Sequence, residues 1–196
     1  MNRELLKKNF ENHEFHVSFF DTGAEAAQYL LTQIKDTTVA TGGSMTMQAL
    51  GLFDALKAQN KYYSHTPKED LEAFREELSA DVFICSANGV SETGEIVNID
   101  GTCNRVAGTI YGHNRVYLIV GKNKIVPTLA DAIVRAKEVA SPPNCKRLNR
   151  NTPCAVTGKC IDCNSPERIC HVTVIEERPP RHLYTEVVFV DEELGF

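Results

Sequence analysis

No stretch of this 196-residue chain stays apolar for the ~18 residues that a membrane-crossing helix requires, so no membrane span is expected. The opening segment, MNRELLKKNFENHEF, lacks the apolar h-region and small-residue cleavage site of a secretory leader and reads as a short amphipathic helix. A cytoplasmic location follows as an expectation, and there cysteines stay reduced. A disulfide framework is therefore not the expected role of the seven cysteines. The chain has no internal repeat and no low-complexity segment. Nor does it carry the excess of Lys and Arg that nucleic-acid phosphates demand: its formal net charge is −5, which argues against nucleic acid as a partner.

What is present describes a soluble globular protein, with 42% hydrophobic and 24% charged residues. The length suits one domain, residues 1–196, able to bury a full core without a structural staple. Charge is unevenly spread. Residues 121–170 hold nine Lys or Arg against four Asp or Glu, a basic stretch that is either a solvated surface or a face for an anionic metabolite or acidic partner.

Hydrophobic periodicity alternates between strand and helix along the chain. EFHVSFF, TTVATGG, ADVFICSANGV, GEIVNID, NRVYLIVG, HVTVIEE and HLYTEVVFVDEE have strand character. Between them, TGAEAAQYLLTQI places Ala24, Ala27, Leu30, Leu31 and Ile34 at helical spacing, and a helix from Met45 sets Met45, Ala49, Leu52 and Leu56 on one stripe as core. PKEDLEAFREEL, GTCNRVAGTIYG and PTLADAIVRAKEVA complete the helical patterns. This order predicts a Rossmann-like α/β domain with a largely parallel sheet, helices on both faces, and ligands at the carboxyl ends of the strands. Residues 141–171, with two adjacent prolines and no periodicity, read as a cysteine-rich loop excursion.

Three segments are candidates for chemistry. In TVATGGSMT a strand runs into Gly42 and Gly43, with Ser44 at the N-cap of the next helix, exposing backbone N–H groups to a carboxylate or phosphate. SANGVSETGEIVNIDGTCNRV follows a buried strand and crowds Ser86, Asn88, Asn98, Asp100 and Asn104 into a candidate binding loop. Within it Glu92 and Glu95 are candidates for general base or nucleophile, and Arg105 for a two-pronged clamp on a substrate carboxylate. VGKNKIV adds Lys122 and Lys124 at the end of a later strand, on the same edge if the strands are parallel. Each segment also has a bland reading, as a turn, a set of backbone-satisfying polar groups, or a solvated sheet end.

CAVTGKCIDCNSPERIC spaces its cysteines as C-x5-C-x2-C-x6-C, with Cys145 nine residues upstream as a spare. The pair Cys160 and Cys163 suits chelation of one metal ion, and Cys154 and Cys170 complete four ligands. Tetrahedral zinc and a [4Fe–4S] iron–sulfur cluster both fit four sulfurs; free thiols are the alternative. His171 and His182 are substitute ligands. Cys85 and Cys103 sit in strand and helix contexts as packed residues.

TGGSMT, DVFICSANGVSETGEIVNIDGTCNRVAGTIYG, VGKNKIV and TPCAVTGKCIDCNSPERIC together resemble the lactate-utilisation (LUD) domain family over essentially the whole chain. The resemblance implies the fold of the sugar-phosphate isomerase and coenzyme A transferase superfamily. It also implies a part in the cytoplasmic oxidation of L-lactate to pyruvate, an oxidoreductase system working with separate iron–sulfur partner subunits. The chain lacks the ferredoxin-type cysteine runs of those partners. Two other readings stand beside it: a redox-silent isomerase, transferase or ligase on a phosphorylated or thioester substrate with structural zinc, and a non-catalytic regulatory or assembly protein.

Overall fold

In the computed structural model, which describes residues 1–64 and 71–196, six parallel strands form one sheet. In chain order they are β1 (His16–Phe20), β2 (Thr38–Thr41), β3 (Lys61–Ser64), β4 (Val82–Ser86), β7 (Arg115–Gly121) and β10 (Tyr184–Val190), and their order across the sheet is β1-β10-β7-β4-β2-β3. The chain is a Rossmann-like α/β fold, as its alternating pattern predicts.

The core follows from the two-residue period of the strands. On β7, Val116, Leu118 and Val120 enter one buried cluster with Phe83 and Phe189. Tyr117 and Ile119 on the opposite face enter another with Leu30, Leu52 and Leu56. The first face is covered by α1 (Arg3–Asn12), which contributes Leu6 and Phe10. The second is covered by α2 (Gly23–Gln33), opened by a Thr22/Glu25 capping box, and by α4 (Leu52–Gln59). On α2 the buried positions are Gly23, Ala26 and Leu30, Ile34 is buried at its C-cap, and Ala24 is exposed.

The helix expected from Met45 is two helices. The short α3 (Met45–Ala49) ends at Leu50, and Gly51 in the left-handed region (φ 63°) restarts the chain as α4. That reset changes the helical phase, so Leu52 and Leu56 are buried while Ala49 is exposed. The next helix, α5 (Leu71–Leu78), is the later part of PKEDLEAFREEL; Pro67–Asp70 of that pattern lie outside the described residues.

A second sheet of order β8-β5-β6-β9 was not foreseen: β5 (Gly89–Ser91), β6 (Ile96–Asp100), β8 (Ile125–Val126) and β9 (Val172–Glu176). It mixes antiparallel β5·β6 and β6·β9 pairs with a parallel β5·β8 pair. β5 leaves the main sheet two residues after β4, so this second sheet grows from the carboxyl edge. The helix α6 (Asn104–Ile110) follows β6. A Cβ at Gly89 would stand 2.5 Å from the Ala132 carbonyl oxygen, so glycine lets the helix α7 (Leu129–Arg135) lie directly on β5.

Residues 141–171 are not a continuous loop. From α7 the chain passes through one π-helical stretch, Ala136–Ala140, into α8 (Ser141–Arg147), and α9 (Pro153–Thr157) follows. Pro142 and Pro143 stand in the first turn of α8, where a missing N–H costs little, and the Ser141 hydroxyl donates to the Ala136 carbonyl across the π turn (2.8 Å). Prolines that look like a break in the sequence therefore start a helix. Among the described residues no helix is long and apolar enough to cross a membrane.

Candidate anion-binding cleft

Three neighbouring strands of the main sheet, β2, β4 and β7, end side by side, and the segments that follow them converge. Gly42–Thr46 leaves β2, Ser86–Asn88 leaves β4, and Lys122–Lys124 leaves β7. From them Gly43–Met45, Ser86–Asn88 and Lys124 line a cleft of about 450 Å³, part of it open to solvent, together with Arg105, Ala140, Asn144, Arg147 and Phe196. Parallel strands of this topology place their ligands at this edge.

Lys124 lies at the floor, 4% exposed. Its Nζ donates to Ser86 Oγ (2.8 Å), Thr46 Oγ1 (3.0 Å) and the Ala87 carbonyl (3.1 Å). All three acceptors are neutral, and among the described residues no carboxylate lies within ion-pair distance of it. Burial, reinforced by the positive charges of Arg135 and Arg105, pushes the ammonium down to about 7. Ser86 passes the network on by donating to the Ile119 carbonyl (2.6 Å).

Arg105, on α6, stands over the same edge, but its N–H groups are committed. Nη1 donates to the Ser86 carbonyl and Asn98 Oδ1, Nη2 to Asn88 Oδ1 (3.0 Å) and the Ile99 carbonyl (2.6 Å), and Nε faces Asp100 at 3.7 Å. What it offers a ligand is its charge, not the two-pronged clamp expected of it. A Cβ at Gly42 would meet Arg105 Cβ at 2.9 Å, so this glycine makes room for the arginine stem.

Asn88 and Asn98 serve this arginine and each other: Asn98 Oδ1 accepts from the Asn88 N–H (3.2 Å), and Asn88 Oδ1 from the Ile99 N–H (2.8 Å). Asp100 accepts from the N–H groups of Cys103 (3.1 Å) and Val106 (3.3 Å), holding the start of α6. Asn104 turns away to Glu77 (3.2 Å). Ser44 caps α3 by accepting from the Met47 N–H (3.2 Å). Lys122 is at the surface in an ion pair with Asp191 (3.2 Å).

The two candidate glutamates are not brought to the cleft. They flank the turn of the β5·β6 hairpin, which lies against α1 through a bond from Asn9 Nδ2 to the Glu92 carbonyl (2.6 Å). Glu95 accepts from the hydroxyls of Ser91 and Thr93. Partial burial works to raise its carboxyl, yet those hydrogen bonds, helped by His13, hold it below the usual carboxylate range. A carboxylate kept ionised and occupied is suited to bracing a turn.

A model described as the LUD domain matches residues 3–190. The chain belongs to the LUD domain family. Among solved structures this LUD domain is similar to a DUF162 family protein from Deinococcus radiodurans, with a TM-score of 0.59 and 13% identity over 96% of this chain and 95% of that one. At that identity the likeness carries the fold alone. No curated protein matches this LUD domain.

Residues that the sequence did not single out complete the cleft of this LUD domain. Thr46 supplies one lysine acceptor. Arg135, on α7, bridges the Asn123 carbonyl (2.8 Å) and the Asn88 carbonyl, tying the β4 and β7 loops together. Arg147 at the rim is held by donation to Asn144 Oδ1 (3.0 and 2.9 Å). The one available signal was helical spacing, since Ala140, Asn144 and Arg147 fall on a single stripe once residues 141–147 are helical.

Replacing Arg105 with Ala takes a charged donor from four acceptors of this LUD domain, of which Asn88 Oδ1 and Asn98 Oδ1 keep a backbone N–H. The expected loss is about 3–5 kcal/mol of unfolding free energy in urea. Lys in its place restores only part, because one ammonium cannot span two loops. A loss below about 1 kcal/mol in the alanine variant would refute this organising role.

Five cysteines, Cys145, Cys154, Cys160, Cys163 and Cys170, line a second cavity on the other side of α8. Cys85 is packed in the core, and Cys103 precedes α6 with φ 69°. Neither His171 nor His182 lines the cysteine cavity. The continuous helical segment 129–147 separates the two sites: Lys137, Ser141 and Cys145 face the cysteine cavity, and Ala140, Asn144 and Arg147 face the cleft.

Proposed function

We propose that this LUD domain binds a small carboxylate metabolite in the cleft above Lys124, as one component of a system that oxidises L-lactate to pyruvate with iron–sulfur partner subunits. The observation that carries the reading is the Lys124 ammonium, buried among neutral acceptors with no carboxylate partner among the described residues. Burying a cation without a counter-charge is costly. An anionic ligand supplies that counter-charge from outside the chain.

The remaining residues fit the same task. Lys124 holds a carboxylate by charge, and Ser86 and Thr46 fix the direction of its N–H bonds. Arg105 and Arg135 add positive potential from behind without giving up their own hydrogen bonds. Arg147 at the mouth is the exposed guanidinium that meets an incoming anion. A lysine pushed down to about 7 beside a serine hydroxyl also favours a second reading, proton transfer on the bound acid, in which the neutral amine of Lys124 accepts the proton and becomes the ammonium.

Calorimetric titration with pyruvate, L-lactate and inorganic phosphate tests the proposal. Saturable binding of either carboxylate is expected, weakened about tenfold in an Arg147→Ala variant, equivalent to roughly 1.4 kcal/mol. Absence of heat for both acids would remove the reading. Preference for phosphate would replace the carboxylate with a phosphorylated substrate.

A further inference from the structure

The cysteine cavity is separate from the cleft and is not used by the function proposed for it. Cysteines from three places meet there: Cys145 on α8, Cys154 on α9, and Cys160, Cys163 and Cys170 on the segment leading to β9. Cys145 and Cys154 are buried and the other three half-buried. None forms a disulfide.

Three of these sulfurs have hydrogen-bond partners close by. The Asp162 N–H donates to Cys160 Sγ (3.4 Å), and Asp162 takes the left-handed conformation (φ 48°), so the Cys160–Cys163 segment aims a backbone donor at its first sulfur. Thr152 Oγ1 lies 3.4 Å from Cys154 Sγ, and the Cys145 side chain hydrogen-bonds both Cys154 and Thr152 from below. The Cys170 thiol donates to Ser141 Oγ (3.4 Å). Backbone N–H donation to sulfur, as at Cys160, stabilises a metal-bound thiolate and tunes the centre it holds.

Arg168 clasps the loop. It donates to the Cys170 carbonyl (2.7 Å), the Cys163 carbonyl (2.6 Å) and the Asp162 carboxylate (2.8 Å). It therefore fixes the backbone at Cys163 and Cys170, and with Lys137 it brings positive charge to the wall of the cavity. Four thiolates around a divalent ion carry a net charge of −2, which these cations offset.

We propose that this cavity is a site for one thiophilic metal centre, held tetrahedrally by the thiolates of Cys154, Cys160, Cys163 and Cys170, with Cys145 and Arg168 as positioning residues. Each ligand gives up its S–H proton to solvent on binding, and no electrons move in that step. Among the described residues no three His, Cys, Asp or Glu side chains converge on one point. Ligation thus requires the cysteine side chains to rotate into the space they already line. Zinc and an iron–sulfur cluster share this ligand chemistry.

The test uses the full chain, reduced and handled without oxygen, in two arms. In one it is titrated with cobalt(II) and then zinc; in the other it is reconstituted with iron and sulfide. Support takes one of two forms. Either one cobalt per chain binds with thiolate-to-metal charge-transfer absorption and is displaced by zinc, or a brown protein retains iron and sulfide in equal amounts through gel filtration. A Cys160→Ser, Cys163→Ser double variant should lose the centre while keeping its far-ultraviolet circular dichroism, and Cys103→Ser should keep it. Cys145→Ala should retain the stoichiometry with affinity about 10–100-fold weaker. Failure of the unmodified chain to retain metal in either arm overturns the proposal, as does undiminished binding by a folded double variant. Neither result bears on carboxylate binding in the cleft.

Discussion

A Lys124→Met variant is expected to lose carboxylate binding and at the same time to gain stability at neutral pH. Methionine keeps much of the volume and apolar stem but removes a cation that is 4% exposed and has only neutral acceptors. The sign follows from proton linkage. The folded ammonium is pushed from its usual 10.5 down to about 7, so between those values the unfolded chain binds more protons and stability rises with pH. Below pH 7 the whole penalty applies, on the order of 5 kcal/mol at ~1.4 kcal/mol per pH unit. It vanishes above the unfolded value. Urea unfolding of the unmodified protein from pH 7 to 10 should show this rise, and the variant should not. Parallel pH profiles for the two proteins would mean that Lys124 carries no such penalty, and the argument for an external counter-anion would lose its basis.

The second large effect belongs to Glu176 at the end of β9, also 4% exposed. Neither of its carboxyl oxygens has a hydrogen-bond partner among the described residues. Burial pushes the carboxyl from its usual 4.5 up to about 7, with Thr109, Arg105 and Asn98 opposing the shift only in part. Between those values the folded state binds the extra proton, so stability falls as pH rises and the full penalty, on the order of 3 kcal/mol, is present above pH 7. Glu176→Gln should remove this fall and stabilise the protein at pH 8, measured by the same urea transitions. If the glutamine variant is no more stable at pH 8, Glu176 has a compensating partner. The combined penalty of these two groups is largest near neutrality, and an anion over Lys124 offsets the lysine part wherever the ammonium is protonated.

Much of the fold was legible because strand and helix periods differ so strongly. β4, β7 and β10 are almost wholly buried runs, short and rich in β-branched residues as strands of a parallel sheet are. The same alternation located the cleft, since Gly42–Ser44, Ser86–Asn88 and Lys122–Lys124 each follow a strand of the parallel sheet. Local pattern does not say which strand ends are neighbours, or where a strand leaves the sheet. Glu92 and Glu95 belong to the same polar run after β4 as Asn88, yet β5 has by then entered a different sheet, and the hairpin carries them to α1.

Burial of single charges was equally hidden. Lys122 and Lys124 read alike, but one pairs with Asp191 at the surface while the other descends beneath Ser86. In VTVIEE nothing distinguishes Glu176, which is buried, from Glu177, which is exposed. The prolines at 142 and 143 misled in the other direction. A single π turn accommodates them, and what reads as loop carries a helical stripe into the cleft wall.

The unbroken helical rod from Leu129 to Arg147 makes the two sites neighbours through a shared party wall. Its wide turn at Ala136–Ala140 is where such a rod can most readily alter its twist. One length of backbone thus presents Lys137, Ser141 and Cys145 to the sulfur-lined chamber and Ala140, Asn144 and Arg147 to the cleft.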